Sequence, residues 1–323
     1  MVKYFKDALR ATGLVHASNS EWSSALNLAD KKIISPKIYD HEYIDFILSY
    51  SKKNNIKAII SLFDIDLPVL AQAKELFKEN GIQLIVSDYP VTKICNDKWL
   101  SYKFLTDNNI STPKTFIDLD EVIDLLNKKN LSFPLIIKPR WGMGSISIYE
   151  SNNINELNIF YSKVKDEISN NYLRYESESD YDKSVVIQQK ISGIEFGLDV
   201  INDLECNYVA TFIKEKISMR SGETDSAITV NNAILEQVGE KISKELKHIA
   251  ILDVDCFLDD NNRPYVLEMN CRFGGHYPFS HLSGANIPLA IVMWLLNKEP
   301  PKSLFKLNYG VKGIKEIIPK IVI

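Results

Sequence analysis

The chain has 323 residues, of which 45% are hydrophobic and 25% are charged, a composition typical of a globular protein long enough for two or three domains. Its net charge of −4 at pH 7 gives no dominant basic face, which argues against nucleic acid or an anionic membrane as a partner. The four cysteines form no CxxC pair and no apolar run reaches the roughly 18 residues of a membrane span, so we expect a reduced, cytoplasmic protein.

Residues 1–92 alternate helical and strand patterns, which predicts a parallel sheet covered by helices on both faces. The predicted elements, in chain order, are helix 4–12, strand 13–19, helix 43–54, strand 56–63, helix 67–80 and strand 82–88. A domain of this kind normally begins with a strand, whereas here Met1 leads directly into the first helix. We therefore expect the first strand of the sheet to be missing.

The next part of the chain mixes short strands with helices. A single helix is predicted for 91–109, with Lys98 near its middle and Thr112-Pro113 after its end. The predicted elements that follow are strand 114–118, helix 120–130, strand 133–139, the turn RWGMGS at 140–145, strand 146–150 and a helix near 154–169. Residues 170–182 are polar and contain few apolar anchors, so we expect a mobile segment there.

Strand patterns dominate the last part of the chain. The predicted elements are strands 184–193, 194–203 and 208–217, a polar loop at 219–227 and a helix at 231–250. Two further apolar runs flank the turn-rich sequence Asp259-Asp260-Asn261-Asn262, which predicts a β-hairpin. The apolar run 287–296 is best explained as a buried helix, which could serve either the core or the contact between two copies in a homodimer.

The second strand of that hairpin carries polar side chains on one face. Side chains alternate along a strand, so Glu268, Asn270 and Arg272 share one face of the sequence VLEMNCRFGG. A turn centred near Asn261 places Asp255 opposite Glu268 on that face. Carboxylate and amide oxygens are the ligands that Mg²⁺ takes, usually together with phosphates, and an arginine nearby can hold a phosphate bidentately. The alternative is a surface hairpin whose acids are simply solvated.

A glycine-bearing turn and a lysine form a second candidate site. In RWGMGS, Gly142 and Gly144 make a flexible turn whose N–H groups can approach phosphate oxygens. The turn lacks the GK[ST] ending of a P-loop and the third glycine of a dinucleotide-binding loop, so a plain hairpin turn is the alternative. Lys138 ends the apolar strand before it, where an unpaired ammonium is costly, so we expect this lysine to point at an anion.

Four weaker candidates complete the set. Lys98 could contact an anion or belong to a solvated helix face. The strand end at Gln189 could hydrogen-bond a flat heterocycle through its backbone, with Glu195 accepting from ribose hydroxyls, or it could be an ordinary edge strand. Arg220, near two acids in a glycine-bearing loop, could clamp an anion or form a surface ion pair of little energetic value.

The order of these features resembles the ATP-grasp superfamily, particularly its single-copy branch similar to the ATP-binding half of carbamoyl-phosphate synthase large chains and to amino-acid ligases. The resemblance covers nearly the whole chain and rests mainly on IIKPRWGMGS and on LEMNCRFGG with Asp255 placed 13 residues before Glu268. It implies an α/β fold that is α+β in part. The implied domains are a parallel α/β pre-ATP-grasp domain at 1–92, a linking helix with a small α+β lid at 93–187, and an antiparallel-sheet ATP-grasp domain at 188–323.

The resemblance also implies a role for each candidate residue. Asp255, Glu268 and Asn270 would hold Mg²⁺, with Mn²⁺ as an alternative metal. Arg272 and Arg220 would stabilise the transferring phosphoryl group. The residues implied in ATP binding are Lys98 and Lys138 at the phosphates, Gly142, Met143, Gly144 and Ser145 in the covering loop, Gln189, Lys190 and Ile191 around adenine, and Glu195 at the ribose.

By the same resemblance, the chain would be an ATP-dependent carboxylate–amine ligase. A carboxylate would attack the γ-phosphate of ATP to give an acyl phosphate and ADP, and an amine would then displace phosphate to form an amide. The partners would be a small-molecule carboxylate and a small-molecule amine, whose identities the sequence leaves open. Two alternatives remain: a subunit of the carbamoyl-phosphate-synthase type, and an ATP-binding protein without catalysis if the amino-terminal domain is incomplete.

Overall fold

Two short parallel strand pairs and four helices form the amino-terminal unit. The computed structural model describes residues 1–10 and 12–318. The elements of this unit are α1 (Val2–Leu9), β1 (His16–Asn19), β2 (Lys31–Ile34), α2 (Tyr43–Lys53), β3 (Ala58–Ile59), α3 (Asp66–Gln72), α4 (Lys74–Glu79) and β4 (Gln83–Leu84), with a 3₁₀ turn at Ser24–Leu28. β1 pairs with β2 and β3 with β4, both in parallel. The predicted parallel pairing is confirmed, but as two separate pairs and not as one sheet.

The predicted strands at 56–63 and 82–88 are wrong in length, since only two residues of each form a ladder. Beyond β3 the chain leaves the strand because the Ser61 hydroxyl accepts the Phe63 N–H and donates to Asp66, which stabilises a loop. The predicted helix 67–80 is divided at Ala73, between α3 and α4. β2 has no counterpart among the predictions, because its Lys-Lys start is typical of a solvated loop.

The lid is a four-stranded antiparallel sheet with helices packed against it. Val122 and Val164 lie on these helices and are buried with Leu135 and Ile187 of the sheet. The strand order is β5-β8-β6-β7. The elements, with the two linking helices before them, are α5 (Tyr89–Asn96), α6 (Lys98–Asp107), β5 (Thr115–Phe116), α7 (Leu119–Asn127), β6 (Leu135–Pro139), β7 (Tyr149–Ser151), α8 (Ile154–Ser169), α9 (Arg174–Ser177), a 3₁₀ segment (Glu178–Lys183) and β8 (Val185–Gln189).

The single helix predicted for 91–109 is wrong, because two helices meet at Asp97. This residue has an extended backbone, and its carboxylate accepts the N–H groups of Trp99 and Leu100 as the N-cap of α6. A capping aspartate ends one helix and begins the next, so Lys98 is the first residue of α6 and not a mid-helix residue.

The remaining predictions for the lid concern a strand, a polar segment and a domain boundary. The strand predicted at 146–150 is confined to β7, because positive φ angles at Ser145 and Ser147 turn the chain before it. The polar segment 170–182 is folded into α9 and the 3₁₀ segment, with Leu173 buried as its anchor. The predicted domain boundary between residues 187 and 188 falls inside β8, all of which belongs to the lid sheet.

A six-stranded antiparallel sheet forms the carboxy-terminal unit, in the strand order β13-β12-β9-β10-β11-β14. The polar loop predicted at 219–227 is wrong, because β10 runs to Arg220 and β11 pairs with it from Glu223 onward through backbone hydrogen bonds that do not depend on side-chain polarity. The elements are β9 (Ile194–Asn202), β10 (Tyr208–Arg220), β11 (Glu223–Val230), α10 (Ala233–Leu246), β12 (Ile251–Leu258), β13 (Pro264–Asn270), α11 (Tyr277–Leu282), α12 (Ile287–Leu295), a 3₁₀ turn (Lys302–Phe305) and β14 (Lys312–Ile314).

One hydrophobic core joins the amino-terminal unit to the six-stranded sheet. Leu70 of α3 and Phe77 of α4 lie in the same buried cluster as Val254 of β12 and Met269 of β13. The β12–β13 hairpin is therefore supported from behind by helices of the first unit. Ile291 of α12 is also buried, as the sequence predicts. No helix within the two described ranges is long and apolar enough to cross a membrane.

Candidate active site

Three oxygen-bearing side chains meet on the β12–β13 hairpin. The predicted opposition of Asp255 and Glu268 is confirmed, and Asn270 follows on the same strand. The side chains of Asp255 and Glu268 retain 28% and 26% of their exposure, so a ligand can reach them. Burial opposes ionisation of Glu268, but the charges of Lys98 and Lys138 outweigh it and lower the pKa of this carboxyl. Two carboxylates and an amide oxygen form a donor set that fits Mg²⁺.

Two ammonium groups contact these carboxylates directly. Lys98 Nζ lies 3.4 Å from Glu268 Oε1 and donates to the backbone oxygen of Gly142 at 2.6 Å. Lys216 on β10 lies between Glu195 and Asp255, with Nζ–O distances of 2.7 and 2.6 Å. Burial alone would lower the pKa of Lys216, but the two carboxylates raise it above its ordinary value. The hairpin acids are therefore balanced by lysines from the linking helix and from the neighbouring strand.

Lys138, at the end of β6, is only 7% exposed. Its Nζ donates to Gln188 Oε1 at 2.9 Å, and Gln188 Nε2 donates in turn to Thr115 Oγ1 at 2.9 Å. The hydrogen-bond partner of the ammonium is thus a neutral amide and not the anion that the sequence predicts. Burial lowers the pKa of Lys138 to about 8, although the charge of Glu268 works in the opposite direction. A buried ammonium of this kind gains strongly from an anionic ligand.

The glycine turn at 142–145 lies over Lys98 and Lys138 and encloses a small cavity. Gly142 has φ +104° and Gly144 φ +69°, backbone conformations that favour glycine. A Cβ at Gly142 would meet the Leu173 side chain, and a Cβ at Gly222, in the β10–β11 turn, would meet the backbone oxygen of Gly144. The turn is therefore enclosed by both the lid and the large sheet. The cavity is lined by Lys98, Lys138, Pro139, Trp141, Gly142, Met143, Gly144, Ser145, Ile146, Ile148, Leu173 and Glu268.

An arginine immediately before the turn ties the lid to the start of α6. Arg140 donates from Nε and Nη2 to the two oxygens of Asp97 at 2.8 and 2.7 Å, and from Nη1 to Asp180 at 2.7 Å. Because Asp97 also caps α6, this bidentate pair links the glycine turn to the helix that begins with Lys98.

The strand end predicted to frame adenine lies where the lid meets the large sheet. Gln189 is the last residue of β8, and its N–H donates to the Lys114 carbonyl at 2.8 Å. Ile191 follows and is half-buried. The side chain of Lys190 pairs with Glu150 at 2.7 Å, and Glu195 pairs with Lys216. The side chains of Lys190 and Glu195 thus have ionic partners that the sequence does not predict.

Arg272 is bound by carboxylates from two different units. Its Nε and Nη2 donate to Asp64 Oδ2 at 3.0 and 2.8 Å, and its Nη1 donates to Asp253 Oδ2 at 2.6 Å. Asp64 belongs to the loop after β3, whereas Asp253 lies on β12 opposite Asn270. The predicted bidentate grip of Arg272 on a phosphate is not available in this arrangement, because acids already occupy both edges of the guanidinium.

A buried set of charged groups lies behind Arg272. The His276 ring lies between Asp199, at 3.1 Å from Nδ1, and Asp253, which contacts Nε2. One potential ligand atom from each of these three residues lies within 4.8 Å of the others, which could suit a metal ion. However, Lys214 pairs with Asp199 at 2.6 Å and Arg272 pairs with Asp253, so both carboxylates are already neutralised. The donor set therefore fits an ion-pair network better than a second metal site.

Arg220 is not among the residues that line the cavity. Its guanidinium pairs with Asp225 and donates to the Lys315 carbonyl at 3.0 Å, and 40% of its side chain is exposed. Of the two interpretations that the sequence leaves open, the surface ion pair is the one that the structure shows. The reason is the extension of β10, which brings Arg220 beside the strand that carries Asp225.

Sequence reasoning missed Lys216, Asp64, Asp253 and His276. A signal existed for Lys216, because an ammonium within an apolar strand is the same feature that singles out Lys138. Asp64 and Asp253 also adjoin or interrupt apolar strands, but nothing in the sequence pairs either of them with Arg272. His276 has no signal beyond its position shortly after the hairpin.

Two family models match the chain. The model described as the PylC-like N-terminal domain matches residues 1–85. The model described as the ATP-grasp domain matches residues 95–276, which is more than half of the chain.

Two curated proteins show the extent of sequence similarity. The carbamoyl phosphate synthase large chain of Thermoanaerobacter sp. (strain X514) is 26% identical over 204 residues, which cover 60% of this chain and 18% of that protein. The vancomycin/teicoplanin A-type resistance protein VanA of Enterococcus faecium is 24% identical over 213 residues, which cover 60% of this chain and 57% of VanA. The matched region thus spans about a fifth of one relative and just over half of the other.

Solved structures show the same fold over almost the entire chain. The L-amino acid ligase from Bacillus licheniformis matches with a TM-score of 0.75 at 22% identity. The matched region covers 99% of this chain and 79% of the ligase chain. The biotin carboxylase domain of Hydrogenobacter thermophilus 2-oxoglutarate carboxylase, in complex with MgADP and bicarbonate, has a TM-score of 0.77 at 16% identity, with coverages of 96% and 70%. The predicted fold class is therefore confirmed.

Proposed function

This chain belongs to the ATP-grasp family, and we propose that it is an ATP-dependent ligase that joins a carboxylate to an amine and releases ADP and phosphate. One observation carries the proposal: Glu268, which faces Asp255 across the hairpin, lines one cavity with Lys98 and Lys138 beneath a glycine turn. Such a site can hold a polyphosphate and a divalent cation together. The names of the similar proteins, which include an L-amino acid ligase and a carbamoyl phosphate synthase large chain, support carbon–nitrogen bond formation.

The chain's own residues would bind ATP as follows. Lys98 and Lys138 would contact the phosphates, and the 142–145 turn would cover them with backbone N–H groups. The backbone from Gln189 to Ile191 would face adenine, while Glu195 would accept from the ribose beside Lys216. When bound, Mg²⁺ at Asp255, Glu268 and Asn270 would neutralise phosphate charge.

The proposed reaction has two steps. A carboxylate oxygen attacks the γ-phosphorus of ATP, the bond to ADP breaks, and an acyl phosphate forms. An amine nitrogen then attacks the acyl carbon, phosphate leaves, and the nitrogen loses a proton to give the amide. The lysines offset the repulsion between carboxylate and triphosphate in the first step. The glycine turn and Leu173 cover the site, which protects the acyl phosphate from water.

The identities of the carboxylate and the amine can be tested directly. Purified protein would be incubated with MgATP and pairs of amino acids or other small carboxylates and amines, and ADP release would be measured. We expect release that requires both partners of at least one pair and that is lost in Glu268→Gln. The exposed Glu205→Gln serves as the matched control, because it removes the same charge outside the site.

Other outcomes would contradict the proposal in distinct ways. MgATP binding with no pair able to stimulate ADP release would indicate a nucleotide-binding protein without ligase activity. ADP release that appears only after another protein subunit is added would favour the carbamoyl-phosphate-synthase type.

A further inference from the structure

Hydrogen bonds within the protein engage most of the N–H donors of the Arg272 guanidinium. Arginine has five N–H donors. Nε and one N–H of Nη2 donate to Asp64, and the two N–H groups of Nη1 donate to Asp253 and to the Phe273 carbonyl at 3.3 Å. Within residues 1–10 and 12–318, this leaves one N–H, on Nη2, for a ligand. A guanidinium bound in this way cannot rotate to follow a ligand, so it acts as a fixed donor and not as a flexible clamp.

The loop that carries Asp64 is itself held in place. Asp66 accepts from the Tyr43 hydroxyl at 2.7 Å and from the Ser61 hydroxyl at 2.8 Å, and Ser61 also accepts the Phe63 N–H at 3.1 Å. These bonds fix both ends of the segment 61–66. Asp64, between them, is only 5% exposed and directs its carboxylate at Arg272, which is 208 residues away along the chain.

The opposite edge of Arg272 is supported equally firmly. Asp253 accepts from Nη1 and also contacts His276, whose other ring nitrogen lies 3.1 Å from Asp199. The carboxyl of Asp199 is in turn bound by the Ser280 hydroxyl at 2.6 Å. The residues of this second support all belong to the carboxy-terminal unit, that is, the ATP-grasp unit. The first support, Asp64, comes from the amino-terminal unit alone.

We propose that Asp64 is a positioning residue for phosphoryl transfer, because it fixes the guanidinium of Arg272 and so lets the amino-terminal unit complete the site built by the ATP-grasp unit. The inference rests on the proposed function, since it assigns the remaining N–H of Arg272 to the transferring phosphoryl group. A donor that is already oriented needs no reorganisation when charge develops on that group. Arg272 lies two residues after Asn270, so the β12–β13 hairpin positions its main chain and Asp64 positions its side chain.

A purely structural tie between the two units is the competing explanation. It predicts that loss of Asp64 lowers the stability of the protein and weakens all nucleotide complexes alike. The positioning role predicts a selective effect: the complex that contains a phosphoryl-like group weakens, whereas the complex with MgADP alone does not.

The test compares MgADP with MgADP plus aluminium fluoride, an anion that occupies the place of a transferring phosphoryl group, by isothermal titration of the full chain. In the wild type we expect aluminium fluoride to tighten MgADP binding by roughly tenfold or more, in line with the effect of one oriented donor. In Asp64→Asn this gain should disappear, while the affinity for MgADP alone stays within about twofold. Asp45→Asn, an exposed acid of α2, is the matched control and should keep the full gain.

Two further variants separate positioning from structure. Asp64→Glu retains the charge and should recover part of the tightening by aluminium fluoride. If Asp64→Asn does not fold, Asp64→Glu provides the test of the positioning role in its place. In an Arg272→Lys background, Asp64→Asn should cause no further loss, because both changes disable the same donor. Additive losses in the double variant would support a structural tie and overturn the proposal.

The remaining outcomes are also decisive. If Asp64→Asn keeps the full gain, the inference is wrong while the proposed function is unaffected. If the wild type binds MgADP but gains nothing from aluminium fluoride, Arg272 does not act on the transferring group and the inference fails. If the wild type binds no MgADP at all, the proposed function fails and the inference fails with it.

Discussion

Nucleotide binding should weaken steeply above pH 8, because Lys138 then loses its proton. Burial lowers the pKa of Lys138 to about 8 from the ordinary lysine value of 10.5. The pKa of Lys216 is raised by Asp255 and Glu195 against the effect of burial, so Lys216 keeps its charge over the same range. A neutral lysine cannot offset phosphate charge, and bound phosphates favour the ammonium. Binding above pH 8 should therefore take up a proton.

The magnitude follows from the difference between 10.5 and about 8, which corresponds to about 3 kcal/mol for holding the ammonium in the site without nucleotide. Affinity for MgATP should fall roughly tenfold for each pH unit above 8, since the charged form declines by that factor. Stability changes in the opposite direction. Between pH 8 and 10.5 the unfolded chain holds a proton that the native chain has released, so the contribution of Lys138 to the unfolding free energy rises with pH.

Titration calorimetry with MgATP at pH 7.5, 8.5 and 9.5, in buffers of different ionisation enthalpy, measures both affinity and proton uptake. Lys138→Met is the control: its binding should be weak and should lack the proton uptake of the wild type. Wild-type affinity that stays constant up to pH 9.5, with no proton taken up, would refute the assignment of Lys138 to the phosphates.

Three other perturbations have defined outcomes. Glu268→Gln should abolish Mg²⁺-dependent ATP turnover without unfolding the protein, and full activity with Mg²⁺ would remove the hairpin as the metal site. His248 is buried and its pKa is lowered to about 4. Between pH 6.5 and 4 this histidine is therefore protonated in the unfolded chain and neutral in the native chain. The contribution of His248 to the unfolding free energy should therefore fall by about 3 kcal/mol as the pH is lowered over that range, and urea titrations of the wild type and of His248→Gln should differ in pH dependence by about this amount. Gly142→Ala should reduce stability by roughly 1–3 kcal/mol, because φ is +104° and the new Cβ would meet Leu173; an unchanged urea midpoint would contradict this.

The hairpin was predictable because its information is local. The turn residues 259–262 set the register next to the turn, where Leu258 faces Pro264, and an irregularity between Asp255 and Cys256 then places Asp255 opposite Glu268. Alternation along β13 then places Met269 in the core and Glu268 on the accessible face. The hairpin and the alternation follow from neighbours in sequence, whereas the irregularity that completes the pairing of Asp255 with Glu268 does not.

The partners of the charged residues were not predictable, because they come from distant segments. Asp64 and Arg272 are 208 residues apart, and Lys98 meets the carbonyl of Gly142 across 44 residues. The sequence identifies an ammonium or a guanidinium that needs a partner, but not which carboxylate the folded chain supplies. Arg220 is the converse case. Its loop looks like a flexible clamp by composition, yet backbone pairing turns it into strand.

The most direct test of the proposed acyl phosphate is the fate of the substrate oxygen. With an ¹⁸O-labelled carboxylate from an active carboxylate–amine pair, the products would be examined by ³¹P NMR, in which ¹⁸O shifts the phosphorus signal. Attack of the carboxylate on the γ-phosphorus predicts ADP, the amide and inorganic phosphate that carries one ¹⁸O. Label in AMP, with pyrophosphate as the second product, would show that the enzyme adenylates its carboxylate and would contradict the account.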